Sequence, residues 1–209
     1  MSHHIPDHWL TIAKKINSIA QTGLAFTKDE FDRERYNELL DLSILILSNI
    51  TEIDHRKLEF VFNRDMGYQT PKVSVRAVVF RDEKILLVKE KMDGKWSLPG
   101  GYADTGMSPG EIAVNEVKEE SGFDVKPLRI LGLIDYNRYQ QQPFPFDVYQ
   151  LFMECEIIGG EAKTGIETSD VGFFDKDNLP ELSTRRVTKD QVIKMFELHH
   201  DKTLEPIFD

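Results

Sequence analysis

Residues 96–123 (WSLPGGYADTGMSPGEIAVNEVKEESGF) predict a strand end, a glycine-rich turn and one short helix. Ser108 and Glu111 form a capping-box pattern, and Pro109 stands at the first helical position, where proline is favoured. Gly122 is the residue best able to adopt the left-handed conformation that ends a helix. The sequence therefore predicts a helix that begins after Ser108 and ends at Gly122.

Three glutamates of this predicted helix, Glu116, Glu119 and Glu120, share one arc of about 100°. Like charges at these spacings repel by roughly 0.2–0.5 kcal/mol per pair, and the last helical turn favours cations instead. Carboxylates that converge at a cost to the helix suit a hard cation such as Mg²⁺. Charge alone leaves a second interpretation open, which is a solvated acidic face.

The segment as a whole resembles the Nudix box, G-x5-E-x7-R-E-U-x-E-E-x-G-U, where U is an apolar residue. The matching positions are Gly101, Glu116, Val117, Glu119, Glu120, Gly122 and Phe123, preceded by the usual lead-in Leu98-Pro99-Gly100. Two positions depart from the pattern, because Met107 stands where the family has Glu and Asn115 where it has Arg. Both members of a bracing pair are lost together, so no charge is orphaned. The departures put in question how the site is braced rather than whether it binds metal.

The resemblance implies an α+β Nudix fold, an α/β/α sandwich with a mixed sheet. It also implies a site for Mg²⁺ or Mn²⁺ whose ligands are the backbone carbonyl of Gly100 and the carboxylates of Glu116, Glu119 and Glu120. The catalytic residues are then Glu116, Glu120 and Glu167, with either Glu116 or a loop carboxylate as the general base. Relatives place a loop glutamate at the position of Glu167, and an exposed loop acid is the equal alternative.

Composition restricts the class of protein. Its 209 residues allow one large domain or a domain with a smaller companion, and a formal net charge of −10 argues against general affinity for DNA or RNA. The single cysteine, Cys155, follows apolar residues at period two and is expected in a buried strand. One cysteine excludes an internal disulfide and fits the reducing cytoplasm. We expect neither a signal peptide nor a membrane span, because the most apolar run, residues 39–50, is too short.

Residues 6–65 predict helices, with a break at residues 21–27, and the next segment marks a domain boundary. We therefore predict an N-terminal helical domain, residues 1–66, and a Nudix domain, residues 67–209. Sixty-odd residues of amphipathic helix could hardly bury their apolar faces alone. Residues 20–42 and 67–80 also resemble a Nudix subgroup whose helical region is associated with homodimers and with shaping the substrate cleft.

The rest of the chain predicts strands and one terminal helix. Alternating apolar residues indicate strands at 73–80, 84–88, 128–136, 147–157 and 171–174, and a helix at 188–200. Residues 137–146 and 159–170 are expected to be loops. Strands interrupted by one internal and one terminal helix imply a mixed sheet between helices.

Substrate groups are less specific. Arg76, Arg138 and Tyr102 are candidates for binding phosphate or base, but an edge ion pair, a surface arginine and a packed ring are the structural alternatives. The subgroup hydrolyses nucleoside diphosphates linked to another moiety, and the helical region favours CDP-choline over ADP-ribose. Two other functions stay open: hydrolysis of nucleoside triphosphates or RNA ends, and a non-catalytic nucleotide sensor.

Overall fold

A computed structural model describes residues 7–62, 67–140 and 144–209. The chain divides into two compact units, Met1–Pro71 with Gln140–Asp147, and Lys72–Tyr139 with Val148–Asp209. The predicted domain boundary after residue 66 and the middle of the predicted loop 137–146 lie outside the described residues. No helix in the described part of the chain combines the length and the apolar character needed to cross a membrane.

The first unit is helical and contains α1 (Asp7–Phe26), α2 (Glu30–Ile50) and α3 (His55–Phe62). Asp29 caps α2, since its side chain accepts a hydrogen bond from the backbone N–H of Asp32. The core of this unit consists of apolar residues from all three helices: Ala13, Ala20, Leu40, Ile44, Leu47, Leu58 and Phe62. The predicted helices are therefore present.

The predicted break at residues 21–27 is wrong, because α1 continues to Phe26. A Cβ atom on Gly23 would lie 2.4 Å from the ring of Tyr36. Gly23 therefore permits close contact with α2 instead of ending α1.

The second unit is built on a seven-stranded mixed sheet. Its strands are β1 (Lys72–Arg81), β2 (Lys84–Glu90), β3 (Trp96–Ser97), β4 (Phe123–Asp135), β5 (Val148–Gly160), β6 (Thr168–Phe174) and β7 (Ile207–Phe208). The order is β3-β2-β1-β5-β4-β7, and β6 pairs with β2. The pairs β1–β5 and β4–β7 are parallel and the remaining pairs are antiparallel.

Two helices cover the two faces of this sheet. Helix α4 (Pro109–Ser121) packs Ile112, Ala113 and Val117 into one apolar cluster, and α5 (Lys189–His200) packs Val192, Met195 and Phe196 into the other. This arrangement confirms the predicted fold, an α/β/α sandwich preceded by helices.

The boundaries of three strands, β4, β5 and β6, differ from prediction. β4 begins at Phe123, immediately after α4, instead of near residue 128, and its register against β5 shifts around Pro127. These shifts interrupt the period-two alternation that would have revealed the strand. The predicted loop 159–170 is shorter than expected, because β5 extends to Gly160 and β6 starts at Thr168.

Candidate active site

Helix α4 has the predicted ends. The Ser108 hydroxyl accepts a hydrogen bond from the backbone N–H of Glu111, and the Glu111 carboxylate accepts one from the backbone N–H of Ser108. Gly122 adopts the left-handed conformation, with φ 80°. Because both ends are fixed by local hydrogen bonds, the glutamates of the last two turns have defined positions.

The glycine-rich segment before α4 runs along β1. Backbone N–H groups of Val75 and Ala77 donate to the carbonyls of Gly101 and Pro99 at 2.9 and 2.8 Å. Gly100 has φ 147°, and a Cβ atom there would lie 2.0 Å from the Val75 carbonyl oxygen. Only glycine allows this close approach.

The same segment contacts two of the helix glutamates. The backbone N–H of Gly100 donates to Glu120 Oε2 at 2.9 Å. A Cβ atom on Gly101 would lie 2.3 Å from Glu116 Oε1. The structure therefore brings together Gly100, Glu116 and Glu120, which were predicted as metal ligands.

Burial dominates the electrostatics of these carboxyls. Glu120 is 7% exposed, and burial raises its pKa to about 8, while the hydrogen bond from Gly100 acts in the opposite direction. Burial also raises the pKa of the half-buried Glu116, and the nearby charges of Glu119 and Glu167 raise it further. Among the described residues, neither Glu116 nor Glu120 forms an ion pair within 4 Å. The charge of Arg76 lowers both pKa values, but by less than burial raises them.

Glu167 lies on the connection between β5 and β6, which is fastened to the site. The backbone N–H of Lys91 donates to the Glu167 carbonyl at 2.9 Å, and Lys91 Nζ donates to the Ile166 carbonyl at 2.7 Å. The Thr168 hydroxyl donates to the Glu120 carbonyl at 2.8 Å. These bonds hold Glu167 close enough for its charge to act on Glu116. Lys91 therefore holds this loop.

Donor chemistry at this site fits a hard divalent cation. The ligands on offer are carboxylate oxygens and the Gly100 carbonyl, which Mg²⁺ and Mn²⁺ prefer. No three His, Cys, Asp or Glu side chains of the described residues already surround a common point as metal ligands would.

Arg76 occupies an interior strand rather than an edge. It is 8% exposed, and its Nη1 donates to the carbonyls of Leu98, at 3.3 Å, and Gly100. Within the described part of the chain Nε has no hydrogen-bond partner, and the guanidinium forms no ion pair within 4 Å. The alternative interpretation as an edge ion pair is wrong. Burial lowers the pKa of Arg76, and the nearby Glu120 opposes this effect.

The other two substrate candidates differ in position. Tyr102 pairs with Ser74 in an isolated bridge and is 53% exposed, and the charge of Arg76 acts on its hydroxyl. Arg138 lies in the short 3₁₀ helix Tyr136–Tyr139, and its one ion pair among the described residues joins it to Asp135 at 3.8 Å. The structure places Tyr102 beside Arg76. Among the described residues, Arg138 forms no ion pair with Glu116 or Glu120.

Two charged residues of this region were missed by sequence reasoning. Glu90, at the end of β2, is buried and pairs with Arg186 Nε at 3.0 Å. The charge of Glu90 acts on Glu120 and on Arg76. Neither residue belongs to a motif. The sequence could have indicated only Glu90, as an acidic residue just after the predicted apolar strand 84–88.

The unusual pair Met107 and Asn115 is also explained. Asn115 Nδ2 donates to Met107 Sδ at 3.9 Å, and Met107 packs against the apolar cluster beneath α4. An apolar contact and a weak hydrogen bond therefore stand where a charged pair was expected.

Comparison with known proteins agrees with this geometry. Residues 7–62 match the family described as Nudix_N (UDP-X-like, N-terminal oligomerisation domain). Residues 70–196 match the NUDIX domain family. YjhB of Bacillus subtilis (strain 168), provisionally named an ADP-ribose pyrophosphatase, is 44% identical over 201 residues, which covers 96% of this chain and 97% of YjhB.

Two solved structures are similar to this chain. A UDP-X diphosphatase crystal structure is 34% identical with a TM-score of 0.64, over 97% of this chain and 98% of that one. The crystal structure of an ADP-ribose pyrophosphatase from Streptococcus suis 89-1591 is 38% identical with a TM-score of 0.62. It covers 67% of this chain and 100% of the S. suis chain.

Proposed function

Because this chain belongs to the Nudix family of hydrolases, we propose that it cleaves a nucleoside diphosphate linked to another moiety. The products are a nucleoside monophosphate and a phosphorylated remainder. The observation that carries this proposal is Arg76, a buried arginine that forms no ion pair with any described residue and on which the charges of Glu116 and Glu120 act. A diphosphate needs both groups, a cation for its oxygens and carboxylates for metal and water.

Nudix hydrolases generally use divalent metal ions, and we propose Mg²⁺ or Mn²⁺ for this chain. Glu116, Glu119, Glu120 and the Gly100 carbonyl would hold the ion. When bound, such an ion neutralises phosphate oxygens and makes water a better nucleophile.

The residues of the chain have separate roles in this proposal. The backbone N–H of Gly100 orients Glu120 through its 2.9 Å hydrogen bond. Arg76 Nε donates to a phosphate oxygen, because a charge-assisted bond satisfies a buried donor that has no other partner among the described residues. Glu116 or Glu167 accepts the proton of the attacking water. Burial raises the pKa of Glu116, which makes it a stronger base than a free glutamate at the surface.

The finer choice of substrate is CDP-choline, ADP-ribose or a UDP-linked compound. The sequence favours CDP-choline over ADP-ribose, whereas the names of similar proteins support ADP-ribose and UDP-X. A quaternary ammonium would require exposed aromatic faces. Phe144 and Phe146 are aromatic residues at the end of the predicted loop 137–146. Phe146 packs against Phe144 and Phe62 at centroid distances of 5.5 and 5.3 Å. These contacts favour a structural role for both rings.

We further propose a cytoplasmic homodimer. The free thiol of Cys155 fits a reducing compartment. Burial raises the pKa of Cys155 to about 12, so the thiol is no nucleophile.

The helical unit keeps exposed apolar side chains on its helices, and the family matched by this unit is described as an oligomerisation domain.

A product assay tests the function. The purified protein is incubated with Mg²⁺ or Mn²⁺ and CDP-choline, ADP-ribose, UDP-glucose or a nucleoside triphosphate. We expect release of a nucleoside monophosphate from at least one diphosphate-linked compound. Glu120→Gln should reduce kcat by about 100-fold or more, above the 10–100-fold typical of residues that only support metal ligands.

The control is Glu111→Gln on the same helix. Its capping role tolerates glutamine, so activity should stay unchanged. Tight binding of one compound without any turnover would favour a nucleotide sensor instead. Full activity of Glu120→Gln at saturating Mg²⁺ would overturn the site assignment.

A further inference from the structure

A row of three side chains crosses the sheet beside Arg76. Ser74 pairs with Tyr102 on one side and with Gln150 of β5 on the other. Directly paired residues point to the same face of a sheet, and Arg76, two residues after Ser74, also points there. Tyr102, Ser74 and Gln150 therefore form a continuous row across about 10 Å, next to the arginine on which the charges of Glu120 and Glu116 act.

Gln150 is the unexplained member of this row. It is 1% exposed, and its Nε2 donates to the Arg186 carbonyl at 2.8 Å. Only the amide nitrogen can donate to a carbonyl, so this bond fixes the orientation of the amide. Gln150 Oε1 is then a buried acceptor that has no partner in the described part of the chain. Buried acceptors of this kind are rare in folded proteins unless a ligand or water satisfies them.

Charge distinguishes the two ends of this region. Arg76 brings a buried positive charge without an ion pair among the described residues, which suits phosphate. The Gln150 end is neutral, because the Arg186 guanidinium is paired with Glu90 at 3.0 Å. A phosphate at neutral pH offers no hydrogen-bond donor to Gln150 Oε1. The chemistry needed there is an N–H donor on a group that also presents an aromatic face to Tyr102.

We propose that Tyr102, Ser74 and Gln150 form the subsite for the nucleobase of the substrate, with Gln150 Oε1 accepting a hydrogen bond from an N–H of the base. Ser74 is a small, buried residue between two larger side chains, and Tyr102, which is 53% exposed, offers its ring for stacking. The inference rests on the proposed function, because in a nucleoside diphosphate one ribose links the base to the phosphates and keeps both within reach of one site. It adds the group that recognises the base.

The test compares ligands with and without a base. Binding of AMP, CMP, GMP, UMP and ribose 5-phosphate to the full chain is measured by calorimetry. We expect the protein to bind the preferred monophosphate at least about tenfold more tightly than ribose 5-phosphate. Gln150→Met keeps the volume but removes the acceptor, so it should remove about tenfold of this preference while leaving ribose 5-phosphate binding within about twofold.

Two further variants control for indirect effects. Tyr136→Phe removes a hydrogen bond from the tyrosine hydroxyl to the Arg185 carbonyl, 2.5 Å long, next to the carbonyl that Gln150 binds. It should leave the preference for a base intact, since it disturbs the same backbone without touching Oε1. Tyr102→Ala removes an exposed ring, so the fold should persist even if Gln150→Met fails to fold. It should weaken the monophosphates about tenfold and spare ribose 5-phosphate.

Equal affinity of the unmodified protein for the monophosphates and ribose 5-phosphate would overturn the inference. So would a variant, Gln150→Met or Tyr102→Ala, that loses affinity equally for both kinds of ligand or loses none. Because these measurements need no turnover, they are separate from the product assay. Hydrolysis with no base preference would overturn the subsite alone. Base preference without hydrolysis of any compound would overturn the proposed function and keep the subsite.

Discussion

Gly100 and Gly101 are adjacent but serve different purposes. Gly100 needs its backbone conformation, with φ 147° and the Val75 carbonyl close by. Gly101 needs only space, because its φ is ordinary and the nearest atom to a new Cβ would be Glu116 Oε1. A substitution at Gly101 therefore acts on one catalytic candidate, Glu116, and not on the backbone.

Gly101→Ala should move the Glu116 carboxylate and leave the fold intact. The new Cβ would lie 2.3 Å from Glu116 Oε1, and a flexible side chain can rotate away. We expect kcat to fall by about 10–100-fold, in line with other displaced metal-site groups, with little change in melting temperature. The measurement is steady-state hydrolysis of the best diphosphate-linked substrate, together with thermal unfolding.

Gly110→Ala is the matched control. Its Cβ would lie 3.4 Å from Pro127, an ordinary contact, and helix α4 gains about 0.4–1 kcal/mol from the more restricted unfolded chain. Activity should be unchanged. If the two variants lost activity equally, the contact between Gly101 and Glu116 would not explain the effect.

The sequence predicted the parts of the site whose causes are local. Ser108, Glu111 and Gly122 fix α4 through hydrogen bonds to neighbours a few residues away, so the helix and its glutamates could be predicted from spacing alone. Gln150 could not be predicted in this way. Its role depends on the strand register that brings β5 beside β1. It also depends on the burial of its side chain, which the sequence of a single strand does not show.

Helix α5 is held to the sheet by one buried carboxylate. Glu154 of β5 accepts hydrogen bonds from Arg129 Nε at 2.8 Å and Lys202 Nζ at 2.6 Å, and contacts His199 Nδ1 at 2.7 Å. Glu154 is 2% exposed and lies under α5. Arg129 of β4 and Lys202, which follows α5, compensate this burial with their positive charges. These two residues lie far apart in the sequence.

Glu154→Gln should lower stability in a pH-dependent way. Burial alone would raise the pKa of Glu154, but the hydrogen bonds from Lys202, Arg129 and His199 lower it below 4.5. A lowered pKa stabilises the fold above the unfolded-state value, and this contribution disappears as the pH falls through the folded-state value. We expect a loss of roughly 1–3 kcal/mol at pH 7 that becomes smaller towards pH 3.

Urea unfolding at several pH values measures this difference. Glu197→Gln, on the exposed side of α5, removes a pair with Lys194 and should change stability little at any pH. A loss for Glu154→Gln that is independent of pH would contradict an ionised carboxylate in the folded state.

At the scale of the whole molecule, the helical unit has more apolar surface than its own core uses. Leu42 and Leu45 of α2 are 48% and 51% exposed, and Phe31 is also exposed. The sequence predicted that so small a helical region would need a further surface to cover it, which follows from the small core of any short chain. In the proposed homodimer a second copy covers this surface, and a single sequence carries no direct signal of which residues it would contact.

The double substitution Leu42→Glu and Leu45→Glu should convert a homodimer into a monomer. Two carboxylates in a desolvated apolar interface would be unpaired, which is strongly unfavourable. Light scattering after size exclusion should give twice the 24.2 kDa chain mass for the unmodified protein and the single mass for the variant. Met92→Glu, on an exposed apolar side chain of the other unit, should leave the dimer intact. A monomeric unmodified protein, or a variant that remains dimeric, would exclude this face of α2 as the interface.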